Sequence, residues 1–265
     1  MADQYLHGQH ARVLASHAWR TAENSAAYLL EYLEEDMDVL DVGCGIGSIS
    51  VDLAERLPRG RVLGVDIAPE PLDQAADYAV ARGIENVEFE VGDAYDLDHG
   101  DGSFDIVHAH QLLQHLKNPL AAIVEMKRVL RRGGLLALRE ADYGAMAWYP
   151  EVGLAAWHKL YRQVSTHHGV QPNAGRRLLE WVHAAGFRTV EPSSSTWTFA
   201  DPVERDYWAS LWIDRLRYSS FGTLAVSQGF TDEAGLEEMI VAWEDWARDG
   251  DGWFVVVHSE ILARA

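Results

Sequence analysis

Val39-Leu40-Asp41-Val42-Gly43-Cys44-Gly45-Ile46-Gly47 is the stretch that decides how this chain is read. An apolar run closes on an acid, three glycines then alternate with other residues, and an amphipathic segment begins at Ser48. The pattern predicts a buried strand, a tight turn and a helix N-terminus. Glycine has no Cβ, so such a turn would let a ligand lie against bare backbone. The next apolar run, Arg61 to Asp66, ends in a carboxylate 19 residues after Gly47, where an acid can grip a ribose.

Spacing narrows the ligand. A dinucleotide fingerprint is G-x-G-x-x-G, which from Gly43 would put its last glycine at position 48, and that residue is Ser48. The chain has G-x-G-x-G instead, and no Arg or Lys between Met37 and Arg56 to meet a phosphate.

Further along the chain, Gly64-Val65-Asp66, Gly92-Asp93-Ala94, Phe104 to Leu116 (FDIVHAHQLLQHL) and Val129 to Glu140 (VLRRGGLLALRE) follow in order. With the glycine turn, these motifs resemble the class I S-adenosylmethionine (SAM)-dependent methyltransferases, closely over residues 35–142. The subgroup they resemble is the ubiquinone/menaquinone-biosynthesis-like enzymes. The resemblance implies SAM as cofactor. It also implies an α/β, Rossmann-like fold: a seven-stranded, mostly parallel sheet with an antiparallel last strand, helices on both faces and helical cap inserts.

Strands are predicted at 38–42, 61–66, 86–91, 104–109, 134–141, 189–199 and 253–262, and helices at 47–57, 69–82, 117–131, 150–167, 174–185, 203–218 and 232–247. Gly186 is placed as a helix C-cap. Residues 1–36 read as a helical N-terminal lid, 37–142 as the SAM-binding core, and 143–265 as the rest of the core with substrate-cap inserts at about 143–173 and 200–248.

The chain has 265 residues, 48% of them hydrophobic, enough for one large domain with an appended cap. Mean hydropathy is −0.17. No apolar run is long enough to span a membrane, no signal peptide is evident, and a single cysteine excludes an intrachain disulfide; a cytoplasmic location is expected. The net charge of −19 disfavours a nucleic-acid acceptor, which would need a basic face. An acidic surface around an apolar interior suits a neutral or weakly cationic aromatic acceptor better than a phosphorylated one.

The candidate cofactor residues follow from the motifs. Gly43, Gly45 and Gly47 form the turn. Asp66 would accept from both ribose hydroxyls, or else cap the helix that starts at Pro69. Ile67 would pack on adenine. By resemblance, Asp93 takes the adenine amino group with the Ala94 backbone beside it, and His110 and Gln111 line the methionine half. Asp41 faces the cofactor's positive charge or buttresses the turn. Cys44 is a small residue under the cofactor, and His115 is read as packing. No metal site is expected: His108 and His110 share a strand face without a third ligand, and Asp249-x-Asp251 lacks the glycine of a calcium loop.

Methyl transfer to a phenol or amine benefits from a base. The candidates are Tyr143, His7 and His10, with His158 and His167 behind them; Tyr143 stands best, just past the fifth strand. Nine of the ten tryptophans lie after residue 140. Pairs such as Trp208/Trp212 and Trp243/Trp246 have helical spacing and read individually as packing, while the set contributes to an aromatic pocket. The expected function is methylation of a small aromatic or quinone-like metabolite at O, C or N. The alternatives are a quinone-biosynthesis C-methyltransferase and a SAM-binding regulator without turnover.

Overall fold

The computed structural model describes residues 19–151 and 153–265. Its strands are β1 (Asp38–Val42), β2 (Arg61–Asp66), β3 (Val87–Val91), β4 (Phe104–His110), β5 (Leu130–Ala141), β6 (Ala147–Tyr149), β7 (Thr189–Phe199) and β8 (Trp253–Arg264). Its helices are α1 (Ala22–Ser25), α2 (Ala27–Leu30), α3 (Ser48–Glu55), α4 (Pro69–Arg82), α5 (Pro119–Val129), α6 (Leu154–His167), α7 (Leu178–Ala184), α8 (Pro202–Tyr218), α9 (Ser220–Ser227) and α10 (Glu233–Arg248).

β3, β2, β1, β4 and β5 run side by side and parallel. β8 is antiparallel to β5, with Leu135 opposite Arg264 and Ala141 opposite His258. β7 pairs antiparallel along the other edge of β8, from Thr189–Arg264 to Phe199–Phe254. That leaves only the β5 edge for β6, which continues the line of β5 through Trp148 opposite Phe254. Chain order reverses between β1 and β4, and open α/β sheets bind ligands in the crevice at the strands' C-terminal ends there.

Side chains alternate across the sheet with the period of a strand. Val39, Ile106, Leu135 and Ala137 face one side, under α1 and the apolar stripe Ile49, Leu53 and Ala54 of α3. Leu40, Val107, Leu136 and Leu138 face the other, against Ile123 and Met126 of α5 and Leu178 and Val182 of α7. Helices thus cover both faces, as expected.

A third core sits over the C-terminal edge, where α6, α8 and α10 pack on Trp197, Phe199, Phe254 and Val256. Trp157 meets Trp212 at 4.4 Å and Trp243 at 4.7 Å between ring centroids, and all three are fully buried. A buried tryptophan removes ~200 Å² from water, an upper figure on the order of 5 kcal/mol. That is enough to hold a helical cap on a sheet, so packing is the role of these rings.

The structure adds detail in three places. The described part of the segment before β1 holds two single helical turns, separated at Ala26 where the backbone leaves helical geometry (φ −136°). The short strand β6 adds an eighth strand to the seven expected. Helix α9 was not foreseen; Ser219, extended at ψ 166°, breaks the helix after Tyr218 and caps the next one by accepting from Phe221 N. His7 and His10 lie outside the described residues. No helix among the described residues is long and apolar enough to cross a membrane.

Candidate active site

The C-terminal ends of β1, β2 and β4 and the turn after β3 surround a cavity of about 440 Å³. It is lined by Asp41, Gly43, Cys44, Gly45, Asp66, Ile67, Asp93, Ala94, His110 and Gln111, so all the predicted cofactor residues but Gly47 meet in one place. Arg20, Leu112, His115 and Leu116 also line it.

The three glycines are left-handed, with φ of +76°, +56° and +72°. At two of them the reason for glycine differs from the one expected. A Cβ on Gly43 would come within 2.8 Å of Leu112 Cδ1, and one on Gly47 within 2.7 Å of both Ala75 Cβ and Phe89 Cζ. The space beside them is filled by protein, so they fix the backbone and let α4, β3 and the Leu112 loop close in. The carbonyl of Val65 accepts from the amides of Gly43 and Cys44 at 2.7 and 3.1 Å and ties the turn to β2.

Asp66 spans the turn. Its carboxylate accepts from Gly45 N at 3.0 Å and from Ala68 N at 3.1 Å, and burial raises its pKa. It does not cap α4, whose N-cap residue is Ala68. Ile67 presents a half-exposed apolar side chain to the cavity. Asp93 accepts from Tyr95 N at 2.9 Å, which shapes the turn that carries Ala94.

Asp41 lies 3% exposed between Ser50 Oγ at 2.5 Å and His108 Nδ1 at 2.7 Å. Both oxygens are therefore engaged within the protein, and His108 is held by Asp41 rather than paired with His110. Cys44 is held as a thiol, its pKa pushed well up by burial. His110 is buried with both ring nitrogens unpartnered; burial, with Arg139 and Arg20 nearby, pushes its pKa well below the usual value and keeps it neutral.

Gln111 is the one described non-glycine residue with positive φ, at 51°. Its amide donates to Arg139 O at 2.8 Å, its side-chain oxygen accepts from Arg20 Nη2 at 3.2 Å, and its Nε2 lies 2.8 Å from His258 Nε2. Burial depresses the pKa of His258 as well, so a neutral ring accepts the Gln111 N–H.

A methyltransferase-domain family profile matches residues 33–186. An uncharacterized methyltransferase of Schizosaccharomyces pombe is 34% identical, over 97% of this chain and 95% of its own length. The class I SAM-dependent methyltransferases are this chain's family. A demethylmenaquinone methyltransferase of Deinococcus radiodurans is 32% identical over 57% of this chain and 68% of its own length. A Haemonchus contortus phosphoethanolamine N-methyltransferase solved with SAM shares the fold at a TM-score of 0.60 and 17% identity, over 95% of this chain and 56% of that one.

The methyltransferase has a cavity whose chemistry fits SAM. Among the described residues three acids, Asp41, Asp66 and Asp93, line it with Arg20 as the sole Lys or Arg, a set of acceptors suited to ribose hydroxyls and to a ligand with ammonium and sulfonium charge.

Beyond Arg20 and Gln111 the cavity adjoins a narrow recess of about 20 Å³, room for about one water. Trp19, Trp197, Tyr207, Trp208 and Tyr143 wall it. Trp19 sits edge-on to Trp197 at 5.1 Å and stacks with Tyr207 at 5.7 Å. Tyr143 lines this recess, its ring tilted on Tyr161 at 4.4 Å. His158 and His167 do not: they line a separate cleft over α6, and His158 is bonded to the Tyr143 carbonyl at 2.5 Å.

Several residues of the methyltransferase site were missed from sequence. Glu140, fully buried, accepts from Leu113 N at 2.5 Å and so fixes the turn that carries Leu112, His115 and Leu116. Burial pushes its pKa up to about 8. Arg139 pairs with Glu260 at 3.1 Å beneath Trp197, its charge 5.0 Å from that ring. Burial also drives the pKa of His115, read as packing, down to about 3, although it lines the cavity. The readable signal was charge at the C-terminal end of an apolar strand, Leu135 to Glu140. Arg20 and Arg215 both line the recess, a local positive element that the net charge does not foretell.

Proposed function

We propose that this methyltransferase methylates a small aromatic metabolite, at oxygen, nitrogen or carbon, that enters the Trp19–Trp197–Tyr207–Tyr143 recess. The observation that carries the reading is the recess itself: ring-walled and sharing Arg20 and Gln111 as a common wall with the cofactor cavity. Aromatic walls favour a flat apolar body with a polar edge. At its present width the recess admits an acceptor only as its side chains part. A net charge of −19 speaks against nucleic acid as the acceptor.

When bound, SAM supplies an electrophilic methyl group on a sulfonium. Toward that cofactor we assign the ribose to Asp66, already held by Gly45 N, the adenine face to Ile67 and its edge to Asp93 and Ala94. Asp41, His110 and Gln111 face the methionine half. In this reading His110, held neutral, adds no repulsion to the sulfonium. For an oxygen or nitrogen acceptor, Tyr143 meets the reacting heteroatom and orients its proton. The aromatic wall keeps water from the reacting pair. The quinone-specific reading has narrower support, since the demethylmenaquinone relative aligns with 57% of the chain.

The test is release of S-adenosylhomocysteine (SAH) from SAM with phenols, aromatic amines and aliphatic amines, in wild type and Tyr207→Ala. We expect turnover with aromatic acceptors only, reduced at least tenfold by Tyr207→Ala with SAH affinity unchanged. Turnover of aliphatic amines that ignores Tyr207 would overturn the reading.

A further inference from the structure

Arg215 lies on the buried face of α8, following Trp208, Leu211 and Trp212 at helical spacing. It is 5% exposed and lines the aromatic recess. Among the described residues its guanidinium has no hydrogen-bond acceptor and no carboxylate partner; its Nε is buried and unpartnered, and its one ring contact is with Trp212 at 4.7 Å. The other two buried arginines are matched. Arg139 holds Glu260 and Ser195, and Arg205 donates to the carbonyls of Ala247 and Ala200.

A guanidinium carries five donors and stays charged, so burying one without an acceptor is costly. This chain has 41 acids to choose from, and among the described residues none is placed on Arg215. Its charge is felt in both spaces: after burial, Arg215 and Arg20 help lower the pKa of His115 on the cofactor cavity, and both oppose the rise that burial causes at the Tyr207 hydroxyl in the recess wall. A cation held in this way, against aromatic rings and beside the cofactor cavity, is a preformed half of an ion pair.

We infer that the acceptor of this enzyme is an aromatic acid, whose carboxylate binds Arg215 while its ring lies among Trp19, Trp197 and Tyr207. The inference rests on the reading of the recess as the acceptor site. A carboxylate fits better than a phosphate. It is small and planar, it matches the guanidinium fork with two parallel bonds, and its single charge balances that of Arg215. Arg215 thereby positions the acceptor and sets specificity.

The experiment uses the full chain saturated with SAH and four probes: benzoate, benzamide, phenyl phosphate and acetate. Binding is measured by calorimetry and by thermal midpoint, in wild type and Arg215→Met. We expect benzoate to bind at least tenfold tighter than benzamide and phenyl phosphate, and Arg215→Met to abolish that preference. We also expect Arg215→Met to raise the midpoint of the ligand-free protein, because it removes an uncompensated buried charge; an arginine kept for structure would lower it. SAH affinity should stay within twofold. Benzamide equal to benzoate, a preference that survives Arg215→Met, or no binding of any probe would overturn the inference. Phenyl phosphate binding tightest would overturn the choice of carboxylate. Acetate binding as tightly as benzoate, and lost in Arg215→Met, would uphold the anion site and sink the aromatic acceptor reading instead.

Discussion

Asp66 is the residue on which the cofactor reading is most exposed. Its carboxylate already holds Gly45 N at 3.0 Å and Ala68 N at 3.1 Å, and burial raises its pKa. If it also accepts from a ribose, removing it deletes charge-assisted bonds worth roughly 1.5–3 kcal/mol. SAH would then bind about 10- to 150-fold more weakly to Asp66→Ala. Asp66→Asn separates the two duties. One amide oxygen can keep a backbone bond, but the NH2 cannot accept from the ribose or the other backbone N–H, so its affinity should fall between wild type and Asp66→Ala. Calorimetric titration with SAH gives both constants, and NAD is the control expected to give no saturable heat. Because protonation removes an acceptor, wild-type affinity should also fall as pH drops through the raised pKa of Asp66, a dependence that both variants should lose. An Asp66→Ala protein that melts earlier yet binds SAH with unchanged affinity would refute the ribose assignment and leave Asp66 as a clamp on the glycine turn.

Two further outcomes concern the scaffold. The carboxyl of Glu140 has its pKa raised to about 8, so between about pH 4.5 and 8 the unfolded chain has lost a proton that the folded protein keeps, and stability falls as pH rises across that window. Urea midpoints of Glu140→Gln minus wild type should therefore climb from pH 5 to 8; the difference isolates Glu140 from His110 and His258, whose depressed pKa values pull the opposite way, and a flat difference would refute the assignment. Gly47→Ala meets two side chains at 2.7 Å in a left-handed backbone and should cost about 2–4 kcal/mol in urea unfolding, whereas Gly83→Ala, at φ +69° with open space, should cost only the backbone strain of ~1–2 kcal/mol; equal costs would refute the packing argument.

Local signals made the sheet legible. Strands β1 and β2 and helix α4 end where the sequence places them, because apolar alternation, Pro69 and Gly83 act within a few residues. The cofactor cavity was legible for the same reason: Asp41, Asp66, Asp93 and His110 sit at or just past strand ends, and parallel strands bring those ends to one edge. What escaped depends on register and on tertiary contact. Arg139 and Glu260 lie opposite each other only because β8 returns antiparallel to β5, and no spacing joins residues so far apart in the chain. The helix break at Ser219 is a single side chain choosing to cap rather than continue.

Net charge and the charge of the recess differ in scale. The formal −19 is a sum over a largely solvated surface, where charges more than about 8 Å apart are screened at physiological salt. In the proposed binding mode an acceptor in the recess would meet Arg215 instead, at contact distance and out of bulk water. There one ion pair at 4 Å is worth ~4 kcal/mol with an effective dielectric of 20, against ~1 kcal/mol in water. A single buried cation can therefore outweigh a distant excess of acids, which is why the proposal reads the acceptor's charge from the helix face at the recess and not from the composition of the chain. The signal was present in the sequence as a charged residue in line with Trp208, Leu211 and Trp212 on one helical stripe. A stripe position marks burial, and among the described residues the fold gives this buried charge no partner, which is the ground for proposing an anionic acceptor.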